Sequence, residues 1–261
     1  MATTDCTLDT KKYELASALH HEWGLRLVTD LDLNGDERIL DLGCGDGVLT
    51  AELAARVPRG SVVGIDPSAE MIEAARERRA PNLRFARMEL DRVKEKEQYD
   101  LVVSSGALHR LRNHRRVLGA VRSCLRKGGT FRAGFAGEGN CANLLKVIRQ
   151  VMALPRFAAC FADFTWPWHL PSVTDYKLLL RQAGFKRARV WAEKTQSEFD
   201  DTGELIQWID QPCLLPFLGR VPEEGRPLFR KLVIASMIRA AGQPDGRCIE
   251  TFRCLNVLAR K

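Results

Sequence analysis

Arg38-Ile-Leu-Asp-Leu-Gly-Cys-Gly-Asp-Gly-Val-Leu-Thr50 is the stretch whose reading decides the fold. An apolar run, Ile39 to Leu42, is interrupted only by Asp41. It breaks into Gly43, Gly45 and Gly47 before an apolar helical pattern starts at Val48. Strand, glycine-rich turn, helix is the order in which glycines let the backbone pass close to a bound small molecule.

Working outward, residues 9–30 place Leu15, Leu19, Trp23, Leu25 and Val28 near a 3.6-residue period, which predicts an amphipathic helix leading into the core. Downstream, a helix over 48–57 stops at Pro58-Arg59-Gly60, and Ser61 to Asp66 is a short strand ending in an acid. Ser68 is placed to cap a helix through Arg78, with Glu70 in its first turn. Strands follow at 83–86, 99–104 and 130–135, with a helix over 114–125 between the last two. Strands alternating with helices at this spacing predict a parallel sheet covered on both faces.

After residue 136 the pattern changes. Residues 140–152 read as a helix, 155–171 as an irregular aromatic stretch, 173–183 as a helix stopped by Gly184, and 188–192 as a sixth strand. Residues 203–241 read as a helical insertion, and 250–259 as a closing strand. With 261 residues, one large domain with insertions is expected. It comprises a leading helix to 36, a ligand-binding core over 37–136, and helical or aromatic cap insertions at 137–185 and 196–245.

Composition excludes the disordered and fibrous classes, with 45% hydrophobic and 28% charged residues. No apolar run approaches the ~20 residues of a membrane span, and the first residues lack the basic and apolar regions of a signal peptide, so a cytoplasmic protein is expected. The eight cysteines form no C-x-x-C pair, so no metal site is expected and the thiols read as free and mostly buried. The net charge of +7 suits an anionic substrate or loose attraction to nucleic acid and proves neither.

Three cofactor classes compete for the glycine loop. A phosphate-binding loop needs a lysine, and residues 43–50 have none. The dinucleotide fingerprint needs glycine where Val48 stands. Asp41-x-Gly43-x-Gly45-x-Gly47, with Asp66 ending the next strand, resembles instead the class I S-adenosylmethionine-dependent methyltransferases. A ligand carrying an ammonium and a sulfonium suits a carboxylate beside the turn, and two vicinal hydroxyls match one carboxylate with two acceptor oxygens.

The resemblance extends through Met71, through Phe85-Ala-Arg-Met-Glu-Leu90, through Tyr99 to His109 and through Leu125-Arg-Lys-Gly-Gly-Thr130, covering about residues 10–136. It implies a doubly wound, Rossmann-like α/β sheet of seven strands, the last antiparallel, with the helical insertions as a cap. It implies that Asp41 and the three glycines hold the methionine end of S-adenosylmethionine and that Asp66 takes the ribose hydroxyls. Pro67, Met71, Glu89 and Leu90 would border the adenine, with Asp91 a near competitor of Glu89, and Ser104 would lie at the cofactor side of the fourth strand. The product would be S-adenosylhomocysteine.

The fourth-strand loop, Ser104-Ser-Gly-Ala107, lacks the Pro-Pro-Tyr of amide and DNA methyltransferases. Leu108-His109, Trp208-x7-Pro216-Phe-Leu218 and the closing Phe252 to Arg260 resemble the small-molecule branch that includes trans-aconitate and juvenile hormone acid methyltransferases. That branch commonly methylates a carboxylate oxygen, which is ionised at neutral pH and needs no general base. The partner implied is a small, anionic acceptor, with no nucleic acid and no membrane. A carbon or nitrogen acceptor would make His109 the candidate catalytic base, and a binding protein without turnover is the rival from another class. Candidate acceptor-site residues are Tyr13, His20, Arg110, Arg112, Trp166, Trp168 and Trp208. The two arginines belong to a basic run, His109 to Arg116, and arginine offers bidentate geometry to a carboxylate.

Overall fold

The computed structural model describes residues 23–261. The first 22 residues, and with them Tyr13, His20 and most of the expected leading helix, lie outside the described residues; residues 23–29 are helical (α1). The strands are β1 (Arg38–Leu42), β2 (Ser61–Asp66), β3 (Leu83–Arg87), β4 (Tyr99–Ser105), β5 (Leu125–Ala136), β6 (Arg187–Phe199) and β7 (Cys248–Arg260). The other α-helices are α2 (Val48–Arg56), α3 (Ala69–Ala75), α4 (His114–Cys124), α5 (Ala142–Met152), α6 (Pro155–Ala158), α7 (Val173–Gln182), α8 (Thr202–Trp208), α9 (Leu215–Leu218) and α10 (Arg226–Ala241).

All seven strands form one sheet in the order β3-β2-β1-β4-β5-β7-β6. β1 to β5 pair in parallel, and β7 runs antiparallel to β5, with Ala133 opposite Val257. The central strands β1 and β4 and the second half of β5 are buried on both faces, so they read as near-continuous apolar runs. Ile39, Leu101 and Val103 pack with Leu27 and Val28 of α1 and Leu53 of α2. Leu40, Val102, Phe131 and Phe135 face the other way onto Val117 and Leu118 of α4 and Tyr176 and Leu180 of α7. Each fully buried aliphatic side chain contributes about 1.5–3 kcal/mol.

The described chain divides into two compact units. One holds the sheet core: the described residues up to 138, with 168–193 and 254–261. The other, residues 139–167 and 194–253, is mainly helical. Its interior is aromatic: Phe157 lies 5.2 Å from Phe229, and Phe217 lies 5.2 Å from both Phe164 and Trp166, between ring centroids. Within it, the fully buried Glu250 on β7 accepts from the Leu144 amide at 3.0 Å and so holds the first turn of α5. Among the described residues no helix is long and apolar enough to cross a membrane.

Four expectations about elements change, the first being that β5 starts at Leu125 rather than 130. The helix capped by Ser68 ends at Ala75 rather than 78, and Arg78 turns back so that its Nε donates to the Asp46 carbonyl at 2.8 Å. The stretch after Pro155 contains the short helix α6 and a 3₁₀ turn, Ala159–Phe161. β6 runs on to Phe199 rather than stopping at 192. Its last residues, Glu193 to Glu198, carry no apolar alternation, because an edge strand pairs through its backbone without needing a buried face.

Candidate functional site

The strand order reverses between β1 and β4: the chain builds outward from β1 to β3, then returns to start β4 on β1's other side. In open α/β sheets the crevice at the carboxyl ends of the strands flanking such a reversal is where ligands bind. Two loops meet there, the glycine loop after β1 and the loop after β4.

The glycine loop is folded over the end of the sheet by the Gly43 and Cys44 amides, which both donate to the Ile65 carbonyl of β2, at 2.8 and 3.0 Å. Gly43, Gly45 and Gly47 have φ of 76°, 54° and 78°, the left-handed region that side-chain-bearing residues rarely adopt. Their surroundings differ. A Cβ on Gly43 would sit 2.3 Å from the Ala107 Cβ, and one on Gly47 would sit 2.7 Å from the Phe85 ring. A Cβ on Gly45 would meet nothing within 4 Å. Packing therefore demands glycine at 43 and 47, whereas at 45 the backbone faces open space, as a cradle for a ligand must.

Two carboxylates address this loop. Asp41, almost fully buried, accepts from the Thr50 hydroxyl of α2 at 2.7 Å. Burial pushes its carboxyl up to about 7, the Thr50 bond works against that rise, and the charge of Asp66 adds to it. Asp66, at the end of β2, accepts from the Gly45 amide at 3.2 Å through one oxygen and from the Ser68 amide at 2.9 Å through the other. The acid is thus oriented by the loop and by the start of α3. Ser68 caps α3 as expected, its hydroxyl accepting from the Met71 amide at 3.2 Å. Two acids around an open cradle favour a cation. The thiol of Cys44, beside them, is pushed far above its usual range by burial and then by Asp41 and Asp66, so it is no nucleophile.

The remaining positions expected at the cofactor separate. Met71 is half-buried, Glu89 exposed and Leu90 buried. Asp91, the competitor of Glu89, is ion-paired with Arg116 at 2.9 Å, while Glu89 has no side-chain partner among the described residues. That pair also accounts for a cation in the first turn of α4, where the helix dipole disfavours it. Ser104 is fully buried and its hydroxyl donates to the Leu42 carbonyl at 2.8 Å, fastening β4 to β1 beneath the crevice. Its side chain offers nothing to a ligand.

The loop after β4 carries His109, half-buried in the 3₁₀ turn Leu108–Arg110, and then the exposed Arg110 and Arg112. Neither arginine has an acidic partner among the described residues. Asn113 caps α4 as expected, accepting from the Arg116 amide at 3.1 Å. The His169 amide donates to the His109 carbonyl at 2.8 Å, which ties the half-buried Trp168 to this loop. Beneath lies buried His114, its ring 4.8 Å from that of His169 and its Nδ1 3.2 Å from the Tyr176 hydroxyl. Burial, then the neighbouring His169, lowers the His114 pKa to about 4, so it stays neutral.

Trp166 and Trp208 belong to the helical unit. Trp166 packs on Phe217 and under the Arg149 guanidinium, 4.7 Å away, and Trp208 lies between Phe199 and Phe252, at 5.4 and 5.5 Å. Both are anchors of that unit's own aromatic interior. Sequence reasoning missed Thr50, His114 and two arginines that brace the cofactor loops. Arg78 pairs with Asp46 of the glycine loop at 3.5 Å, and the Arg87 Nε donates to the Pro67 carbonyl at 3.0 Å. Thr50 carries a usable signal, since it stands on the helix that directly follows the loop; Arg78 is hidden in a basic run, 76–79, and Arg87 is one exposed arginine among many.

Comparison with known proteins agrees with this geometry. A family model described as "Methyltransferase domain" matches residues 39–129. The chain is 32% identical to a trans-aconitate 2-methyltransferase of Mycolicibacterium gilvum, over 90% of this chain and 91% of the other. It is 30% identical to an uncharacterized methyltransferase of Schizosaccharomyces pombe, over 90% of each. The YcgJ protein of Bacillus subtilis shares the fold with a TM-score of 0.63 at 17% identity, covering 93% of this chain and 98% of that one.

Proposed function

The chain belongs to the class I S-adenosylmethionine-dependent methyltransferases, and from that membership we propose that it methylates a carboxylate oxygen of a small anionic molecule. The observation that carries this reading is the pair of exposed arginines, Arg110 and Arg112, on the loop that ends β4 at the crevice, without acidic partners among the described residues. Relatives named trans-aconitate 2-methyltransferase support it.

When bound, S-adenosylmethionine supplies an electrophilic methyl carbon on a sulfonium sulfur. Asp41 and the Gly43–Gly47 backbone take the methionine end, Asp66 the two ribose hydroxyls, and Pro67, Met71, Glu89 and Leu90 the adenine. The open space at Gly45 and the two acids around it fit such a cation. Arg110 and Arg112 orient the acceptor through its remaining carboxylates, and Trp168 covers the apolar side. A carboxylate is already ionised at neutral pH, so His109 has no proton to remove. Rate then comes from holding oxygen, methyl carbon and sulfur in line.

The direct test is transfer of labelled methyl to a panel of di- and tricarboxylates, trans-aconitate among them. A base-labile product is an ester and supports the reading. A base-stable product shifts the assignment to nitrogen or carbon methylation with His109 as base. Binding of the donor without transfer to any acceptor leaves a binding protein. Within the panel, Arg110→Gln with Arg112→Gln raises KM for a tricarboxylate about tenfold or more, as expected for loss of charge-assisted pairs, with donor affinity unchanged. An unchanged KM removes the arginines from the acceptor site.

Asp41 gives a pH dependence. Its carboxyl titrates near 7 in the free protein, and a cationic ligand favours the ionised form. Donor affinity therefore falls as pH drops below 7, towards about tenfold per unit. The stability contribution runs the opposite way. The folded carboxyl holds a proton that the unfolded chain, whose carboxyl keeps its ordinary value of 3.8, releases. This group's contribution is full below 3.8 and is lost as pH rises through 7. Calorimetric titration with S-adenosylhomocysteine at pH 5.5, 6.5 and 7.5 checks the first sign; constant affinity excludes Asp41 from the ligand's ammonium.

A further inference from the structure

We propose that a second copy of this chain pairs with the outer edge of β6, antiparallel and with Trp191 on the two-fold axis, to join two sheets into one. β6 is the last strand of the sheet, 13 residues long, and no strand among the described residues pairs with its outer side. From Arg187 to Gln196 only Val190 is buried and only Trp191 half-buried. An edge of this length presents a row of unpaired backbone donors and acceptors, which is a template for another strand.

The side chains decide the partner. Arg189, Trp191 and Glu193 share one face of β6 because side chains alternate along a strand. They contact one another: the guanidinium groups of Arg189 and of Arg132 on β5 lie over the Trp191 ring, at 4.8 and 5.0 Å from its centroid, and the Trp191 Nε1 donates to Glu193 at 2.7 Å. A two-fold axis perpendicular to the sheet keeps each face on its own side, so paired residue numbers must sum to an even number. With Trp191 opposite its own copy, Arg189 faces Glu193 of the partner subunit and Glu193 faces the partner's Arg189. The other pairs are Val190 with Ala192, Ala188 with Lys194, and Arg187 with Thr195, none of like charge.

Sliding the strands by two residues one way sets Arg187 opposite Glu193 but brings Lys186, just before the strand, opposite Lys194, and sliding them by two the other way leaves Arg189 opposite Thr195 and Glu193 opposite Trp191. The register centred on Trp191 is the one of these three that sets Arg189 against Glu193. Opposite charges directly across antiparallel strands stabilise the pair and like charges destabilise it.

The test is sedimentation equilibrium of the full chain at tens of micromolar, with Arg189→Glu and Glu193→Arg variants. The wild type is expected at twice the mass of one chain, and each single variant dissociates at least tenfold more readily, because each creates two like-charge pairs. Mixing the two variants restores a dimer, since every Glu then faces an Arg. Retained binding of S-adenosylhomocysteine shows that each variant is folded. A monomeric wild type, a dimer indifferent to both substitutions, or a mixture that does not reassociate overturns the proposal.

Discussion

Asp66→Ala lowers the affinity for S-adenosylmethionine about 100-fold or more, the expected outcome of removing a carboxylate proposed to engage two hydroxyls, at ~1.5–3 kcal/mol for each charged hydrogen bond. The effect has a second component. Asp66 also accepts from the Gly45 and Ser68 amides, so its removal frees the loop as well as the ribose contact. Asp66→Asn separates the two, because the amide oxygen keeps one backbone acceptor and the shape while the charge is lost. Calorimetric titration with S-adenosylhomocysteine should rank wild type above Asn above Ala, with a melting temperature within a few degrees for Asn. Binding undiminished in both variants would remove Asp66 from the cofactor site.

The glycines give the other large effect, and they do not behave alike. Gly45→Ala should leave a folded protein that binds the donor at least 100-fold more weakly. Its cost to the free protein is the left-handed backbone alone, on the order of 1–3 kcal/mol, because its Cβ projects into empty space. That empty space is where the donor is proposed to lie, so the methyl group would exclude it. Gly43→Ala pays the same backbone cost and also drives a carbon to 2.3 Å from the Ala107 Cβ, which forces the two loops apart. It should lose several kcal/mol of stability, read by chemical denaturation. If Gly45→Ala binds normally, the ligand does not approach the backbone there.

Most of the sheet core was legible in the sequence because its central strands are buried on both faces and its helices carry caps. Ser68 and Asn113 accept the amides that their positions suggest. What the sequence hid is of two kinds. One is structure without an apolar signature, such as the outer half of β6, where the backbone alone pairs. The other is long-range polar bonding, in which the residue type is uninformative. Arg78 and Arg116 look alike in sequence, yet one braces Asp46 and the other pairs with Asp91. Ser104 hides its bonding for a related reason: its place at the end of a strand suggested the crevice, and the inward face of the pleat sends its hydroxyl to β1. Neither Trp166 nor Trp208 could be distinguished from a pocket residue without knowing which aromatic rings surround it.

The fit of Ala107 against Gly43 bears on how such an enzyme can be re-engineered. Position 107 stands at the head of the loop that carries His109 and Arg110, so it is a natural choice for altering which acceptor is taken. Its methyl already stands where a Cβ on Gly43 would have to go, 2.3 Å away, so this contact couples the acceptor loop to the loop proposed to hold the methyl donor. Libraries aimed at new acceptors should leave Ala107 fixed and vary Arg110 and Arg112, whose exposure lets them change without disturbing donor affinity.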